Sequence, residues 1–199
     1  MKTKLLLTLI AFAGINFTIM AQQLTTGAKF PEFTTTDVWG RPLSSTNNSG
    51  KTWWLFHRNV GCPGCNLRIH QIGLLADSLT KTGNRVIIVL ESPAERIKEY
   101  LSAKPGNLIY VGDPDRKLYN LVGAEISFGK NLKGLFHGSL AMAKKGQKLM
   151  PKKVKQDGHL NTMPVEFVVN NAGQTELAYY AKYLGDEPEI SDIAKIIGK

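Results

Sequence analysis

An α/β sandwich on a mixed sheet, folded as one domain, is what this 199-residue sequence predicts, and three observations carry it. Residues 85–90, Arg-Val-Ile-Ile-Val-Leu, form the unbroken apolar, β-branched run expected of a parallel strand covered by helices on both faces. The strand 52–57, built on the apolar run Trp53-Trp54-Leu55-Phe56, leads within a few residues to a helix opened by Pro63, so a strand feeds a helix. Near the C-terminus, 165–169 and 176–180 flank Asn170-Asn171-Ala172-Gly173 as a hairpin. No internal repeat and no shift in composition marks a second domain.

Taken in order, Phe30-Pro31-Glu32-Phe33 and Asp37-Val38-Trp39-Gly40-Arg41-Pro42 suggest a short hairpin with its turn at Gly40. A polar loop, 44–50, precedes the strand 52–57, in which Trp53, Trp54 and His57 read as packing residues. The helix from Pro63 places Leu67, Ile72, Leu75 and Leu79 roughly on one face and ends at Gly83-Asn84. After strand 85–90, Pro93 begins a helix that fades near Lys104-Pro105-Gly106. Residues 108–111 read as a short strand, Asp113-Pro114 as a turn and 116–122 as a short helix. Residues 130–145 read as an amphipathic helix with Leu132, Leu135, Phe136, Leu140 and Met142 apolar. A terminal helix, 189–197, closes the chain.

The first 21 residues have the layout of a secretory signal peptide: Met-Lys-Thr-Lys, an apolar stretch from Leu5 to about Met20, then Ala21 before the expected cut. That leaves residues 22–199 as the mature domain and predicts a periplasmic or otherwise exported protein, touching a membrane only through the segment that is removed. The mature length suffices for a sizeable core without disulfide staples. The formal net charge of +9 falls to about +7 without Lys2 and Lys4. Six lysines lie within residues 144–155, where Gly146 and Pro151 break any helix, so the segment reads as a basic, solvated loop. It is either a docking surface for an acidic partner or anionic lipid, or a solubilising insert. No aromatics interleave with these lysines, so nucleic acid is not an expected partner.

Cys62 and Cys65 are the only cysteines, and they close a loop too small to restrain the unfolded chain much. A pair of this kind points to redox chemistry rather than to stability. Where a strand ends and a helix begins, the first thiol meets free backbone N–H groups and the positive end of the helix dipole, which favour thiolate. Cys62 is therefore the candidate nucleophile and the more exposed thiol, and Cys65, one turn on, the candidate resolving thiol. Pro63 suits the first helical turn, and Gly64 lets a partner backbone approach.

Cys-x-x-Cys at a helix start, Thr162-Met163-Pro164 just before a hairpin, and a final helix together resemble the thioredoxin fold, in which the proline is cis and lies against the active-site cysteines. The N-terminal Phe30-Pro31-Glu32-Phe33 before Asp37-x-x-Gly40 resembles the start of the peroxiredoxin (AhpC/TSA) branch. Phe56-His57-Arg58-x-x-Gly61-Cys62-x-x-Cys65, Asp113-Pro114-x-Arg116-x-Leu118-Tyr119 and a long insert before Pro164 are most similar to its peroxiredoxin-like (peroxiredoxin-like 2 type) group, which includes relatives of prostamide/prostaglandin F synthase. The resemblance spans about residues 27–197. It implies a thioredoxin-like fold: a mixed central sheet flanked by helices, with an N-terminal hairpin and a basic insert before the cis-proline. It also implies a redox-active Cys62–Cys65 disulfide, with Met163 and Pro164 positioning substrate.

The sequence departs from that family at one place. Peroxiredoxins resemble Pro-x-x-x-Thr/Ser-x-x-Cys around the peroxide-attacking cysteine, and here the matching positions hold Leu55 and Asn59. Peroxide reduction needs a cation near the attacked sulfur. Arg58 and Arg116 are the candidates, against surface or salt-bridged roles for each. Three functions follow: a thiol–disulfide oxidoreductase acting on a protein disulfide, a peroxide reductase using the same two cysteines and an exported thiol reductant, and a copper-binding chaperone recruiting His57, His70, His137 or His159. The first is the preferred reading, with no cofactor and no metal. A c-type haem site is excluded because Asn66, not histidine, follows Cys65.

Overall fold

The structure, a computed structural model, describes residues 22–46, 48–81, 83–101, 107–150 and 154–198; the expected signal segment lies outside them, as do Pro151, Lys152 and Lys153. The chain opens with the expected hairpin, β1 (Thr34–Thr36) and β2 (Pro42–Ser44), with Gly40 at φ 82° in its turn. There follow β3 (Thr52–His57), α1 (Pro63–Gly73), α2 (Ala76–Thr80), β4 (Arg85–Leu90), α3 (Ala94–Leu101), β5 (Ile109–Gly112) and α4 (Lys117–Leu121). Two helices, α5 (Phe128–Leu135) and α6 (Ser139–Lys148), precede β6 (Val165–Val169), β7 (Thr175–Tyr180) and α7 (Ile190–Ile197).

The central sheet has the order β5-β4-β3-β6-β7, with β3, β4 and β5 mutually parallel and β6 and β7 antiparallel. Its mixed character follows from the connections: helices carry the chain between the parallel strands, and a tight turn at Gly173, φ 77°, joins β6 to β7. Every residue of β3 is buried. On one face Trp53 and Leu55 pack with Ile69, Ile72, Leu79, Ile97 and Ile193, the apolar sides of α1, α2, α3 and α7. On the other, Trp54 and Phe56 pack with Phe30, Tyr119 and Phe167; the Phe56 and Tyr119 rings meet edge-on at 5.4 Å. This layering explains the unbroken apolar runs of both central strands. In register, Phe56 stands opposite Val165 of β6, so the chain leaving β3 toward the cysteines passes the residues that open β6.

Four expectations are corrected. The helix after Cys62 is broken between α1 and α2, where the Leu74 N–H donates to the His70 carbonyl and the Leu75 N–H to the Ile72 carbonyl. The offset leaves Ile72 and Leu79 buried and turns Leu75 outward. Residues 130–145 do not form one helix, because Gly138 at φ 87° separates α5 from α6. Among the described residues no peptide bond is cis, so Pro164 is trans. There the chain enters β6 extended, the conformation favoured at a residue preceding proline. The Met163 N–H donates to the Glu125 carbonyl, and the Pro164 carbonyl accepts from Ala181.

The fourth correction concerns the basic insert. The segment from residue 144 starts as helix, and α6 runs through Gly146 to Lys148. A glycine inside a helix costs about 1 kcal/mol relative to alanine, and here the missing side chain is what admits the helix. A Cβ at Gly146 would run into the Pro63 carbonyl, so α6 lies directly on the first turn of α1. Replacing Gly146 by alanine is therefore expected to destabilise the protein by about 1–3 kcal/mol despite the better helix propensity. Urea denaturation measures the loss, and faster alkylation of the reduced cysteines would report that α6 has lifted from α1.

Candidate active site

Cys62 is the N-cap of α1, with extended backbone angles of φ −77° and ψ 110°. Its sulfur accepts the Cys65 N–H at 3.2 Å, the contact a capping side chain makes with an otherwise orphaned amide. Asn66 locks the turn, its side-chain amide donating to the carbonyls of Val60 at 2.7 Å and Cys62 at 2.9 Å. Cys62 and Cys65 are joined in a disulfide with their Cα atoms 5.3 Å apart. The expectation that Cys62 is the exposed thiol is corrected: it is 1% exposed and Cys65 3%. Insert segments on both sides of the loop cause the burial. Alongside α6 on Pro63, residues 154–156 press on Gly61, where a Cβ would lie 2.8 Å from the Gln156 N and the Lys155 and Val154 carbonyls.

Arg58 reaches this sulfur. Its Nε and Nη2 donate to Cys62 Sγ at 3.3 and 3.1 Å, and its Nη1 donates to the Leu160 carbonyl. The guanidinium is buried, and among the described residues no carboxylate stands within 4.0 Å of it. Burial pulls its pKa below the ordinary arginine value, with Glu91 opposing from a distance, yet an arginine stays protonated in proteins. A pocket opens beside the disulfide. It is lined by Arg58, Cys62, Gly64, Cys65, Pro164 and the insert residues Ser139, Met142 and Ala143. Glu187, whose carboxyl burial pushes up, completes the rim with Leu184 and Gly185.

Residues 26–176 match the AhpC/TSA family. The chain belongs to that family. Among solved structures it is similar to a peroxiredoxin-like protein from Aquifex aeolicus at 12% identity, TM-score 0.66, covering 90% of this chain and 89% of that one. It is also similar to peroxidoxin BcpB from Mycobacterium tuberculosis, at 12% identity and TM-score 0.62, covering 88% and 96%. A putative thiol:disulfide interchange protein DsbE from Chlorobium tepidum aligns at 15% identity and TM-score 0.55, covering 87% and 97%. At these identities the likeness is one of fold. No curated protein matches the chain.

Within this AhpC/TSA chain the other sequence-predicted residues are placed as follows. Arg116 does not reach the cysteines. It adopts φ 58°, and its Nη1 pairs with Glu91 and donates to Thr162 Oγ1 at 2.7 Å, while Nη2 donates to the Ala124 carbonyl at 3.0 Å. It is thus a salt-bridged residue that ties Thr162, and through it Met163 and Pro164, to the end of β4. Asp113 explains the rest of that motif, accepting the backbone N–H groups of Lys117, Leu118 and Tyr119 at the start of α4. Met163 is buried and Pro164 lines the pocket. Asn59 is buried, its amide finds no hydrogen-bond partner among the described residues, and it is not among the pocket-lining residues. No histidine lines the pocket, and no cluster of three metal-ligating side chains occurs among the described residues.

Two buried carboxylates and one arginine escaped the sequence reading. Glu91 holds Arg116, Thr162 and the His159 N–H; Glu166, in the middle of β6, receives Arg68 of α1 through Nε at 3.1 Å and Nη2 at 3.0 Å, and Trp53 Nε1 at 3.1 Å. A charge inside Val165-Glu166-Phe167-Val168-Val169 was the available signal. Burial pushes the Glu166 carboxyl up, but the His57 side chain, whose Nε2 stands 3.6 Å away, and the bidentate Arg68 together pull it below the ordinary carboxylate value. Glu166→Ala, which leaves buried Arg68 only the more distant Glu187 carboxylate at 3.7 Å and the Pro188 carbonyl at 2.8 Å, is expected to cost about 3 kcal/mol in urea denaturation. Because the folded-state pKa is depressed, the carboxylate's contribution is fully present above the unfolded value and lost as pH falls through the folded one. The acid limb of the stability–pH curve should accordingly be shallower in the variant.

Proposed function

We propose that this chain is a thiol–disulfide oxidoreductase in which Cys62 is the nucleophile and Cys65 the resolving thiol. The observation that carries this reading is the buried Arg58 guanidinium, which among the described residues has no carboxylate within 4.0 Å and donates twice to Cys62 Sγ. In the reduced protein a Cys62 thiolate is the anion that compensates this cation. The Cys65 N–H at the helix start adds to the same preference. The Cys62 thiolate attacks one sulfur of a partner disulfide, forming a mixed disulfide and expelling the other sulfur as thiolate. The Cys65 thiol, losing its proton, then attacks Cys62 Sγ and releases the second partner thiolate. Two electrons pass to the partner, and the Cys62–Cys65 disulfide described above remains. Met163 and Pro164 would position the incoming sulfur, Pro164 at the pocket wall, and an external dithiol would reopen the disulfide.

A second reading, peroxide reduction, is supported by membership of the AhpC/TSA family and by the same Arg58 contact, which sets a cation where charge develops as an O–O bond breaks. Cys62 would take one peroxide oxygen as sulfenic acid and release hydroxide, and Cys65 would condense with it, releasing water. The missing Thr/Ser, replaced by an Asn59 that does not line the pocket, favours the disulfide reading. Stopped-flow tryptophan fluorescence of the reduced protein, mixed separately with hydrogen peroxide and with a small dialkyl disulfide, decides between them. Cys62-dependent oxidation by the disulfide at a rate well above that of peroxide is expected; the reverse order would establish a peroxidase.

Arg58→Met should raise the Cys62 thiol pKa, the effect of removing an adjacent opposite charge. Ultraviolet thiolate absorbance against pH in a Cys65→Ser background measures it, and an unchanged titration would remove Arg58 from the mechanism. We also propose export, with removal of residues 1–21, on the signal-like N-terminus. N-terminal sequencing of the secreted or periplasmic product should begin at Gln22, and recovery of the intact N-terminus in the cytoplasm would refute it.

A further inference from the structure

The helical insert presents an amphipathic surface that the redox reading does not use. On α5 and just past it, Phe128, Leu132, Leu135 and Phe136 recur at helical spacing on one stripe and are 70%, 46%, 44% and 81% exposed. The opposite side of α5 turns inward: a Cβ at Gly134 would meet Leu184. Leu140 and Leu160 are also exposed, and the Leu160 carbonyl is the group that Arg58 Nη1 holds. The exposed face of α6 carries Lys144, Lys145 and Lys148 on one stripe. From residue 126 to residue 156 the sequence has eight lysines and no Asp or Glu. The sequence pattern reads Leu132, Leu135, Phe136 and Leu140 as apolar positions of an amphipathic helix, and the structure leaves them exposed.

We infer that this surface docks the protein partner of the disulfide exchange, and that the partner presents acidic residues around an apolar patch next to its own reactive sulfur. The proposal rests on the thiol–disulfide reading and specifies its substrate. Two observations join surface and site. The insert is seated on the cysteine loop through Gly146 on Pro63 and through residues 154–156 on Gly61. Its residues Ser139, Met142 and Ala143 also line the pocket that borders the cysteines. A partner that brings a sulfur through this pocket to a Cys62 only 1% exposed therefore passes beside the insert. Charge selects the partner's chemistry, since, with Lys130 paired to Glu125, the exposed Lys144, Lys145 and Lys148 of α6 leave an excess of positive charge that attracts acidic residues and repels a second copy of itself. The apolar stripe supplies the desolvated centre that such a contact needs.

Fluorescence anisotropy with the full-length protein tests this, using two synthetic peptides with serine in place of cysteine, one rich in Glu, Phe and Leu, the other in Lys and Ser. The acidic, apolar peptide should bind roughly tenfold more tightly at low salt, and the preference should shrink as salt screens it. Leu132→Ser/Phe136→Ser and Lys144→Glu/Lys145→Glu should each abolish the preference while leaving the rate of small-disulfide reduction unchanged. Equal binding of the two peptides, or a preference that survives both double variants, overturns the proposal. So does binding to phosphatidylglycerol vesicles that the variants lose while peptide binding stays equal, which would make the surface a membrane contact. Failure of the redox reading shows separately, as a small disulfide that wild-type protein does not reduce.

Discussion

A buried guanidinium with no carboxylate within 4.0 Å among the described residues is an expensive group, and in this chain its expense is directed at one sulfur. Arg58 leaves the end of β3, donates to Cys62 Sγ through two nitrogens and to the Leu160 carbonyl through a third. The backbone N–H of Cys65 approaches the same atom from the helix side. Desolvation makes a lone cation costly, so the surroundings favour whatever protonation state of Cys62 supplies an anion. The reactivity proposed for this site thus comes from where one arginine is buried, more than from the dipeptide between the cysteines.

That placement requires rigid neighbours, and two buried carboxylates supply them. Glu166 fastens α1 to the middle of the sheet through Arg68 and Trp53. Glu91 gathers Arg116, Thr162 and the His159 N–H at the end of β4. The first fixes the helix that carries the cysteines; the second fixes the segment whose Leu160 carbonyl orients Arg58 and whose Pro164 lines the pocket. Both networks are paired, which is what allows charges at such depth. They also give Arg116 a structural task in place of contact with sulfur.

Two glycines decide what surrounds the site. At Gly61 and Gly146 the backbone of the insert comes closer to the cysteine loop than any side chain would permit. The cysteines are consequently buried, the pocket has an insert wall, and the insert's apolar and lysine stripes lie beside the chemistry. A solvated loop at the same place in the sequence would have left Cys62 open.

By itself the sequence determined the α/β order, the two central strands, both hairpins, the helix start at Pro63 and the redox pair, because each is written in local spacing: a β-branched run, a turn glycine, a proline at a first helical turn. It also placed Arg58 among the candidates, being four residues from Cys62 at a strand end. What it left open depends on contacts between distant segments. Gly146 reads as a helix breaker until α1 is known to lie against it, Leu132 and Phe136 read only as the apolar side of a helix until Gly134 is seen turning inward to Leu184, and Pro164 is trans where the Met163 N–H donates to the Glu125 carbonyl and the Ala181 N–H to the Pro164 carbonyl. Only the tertiary structure chose Arg58 over Arg116, because the choice turns on which arginine Glu91 neutralises, and that pairing joins residues 25 apart in the chain.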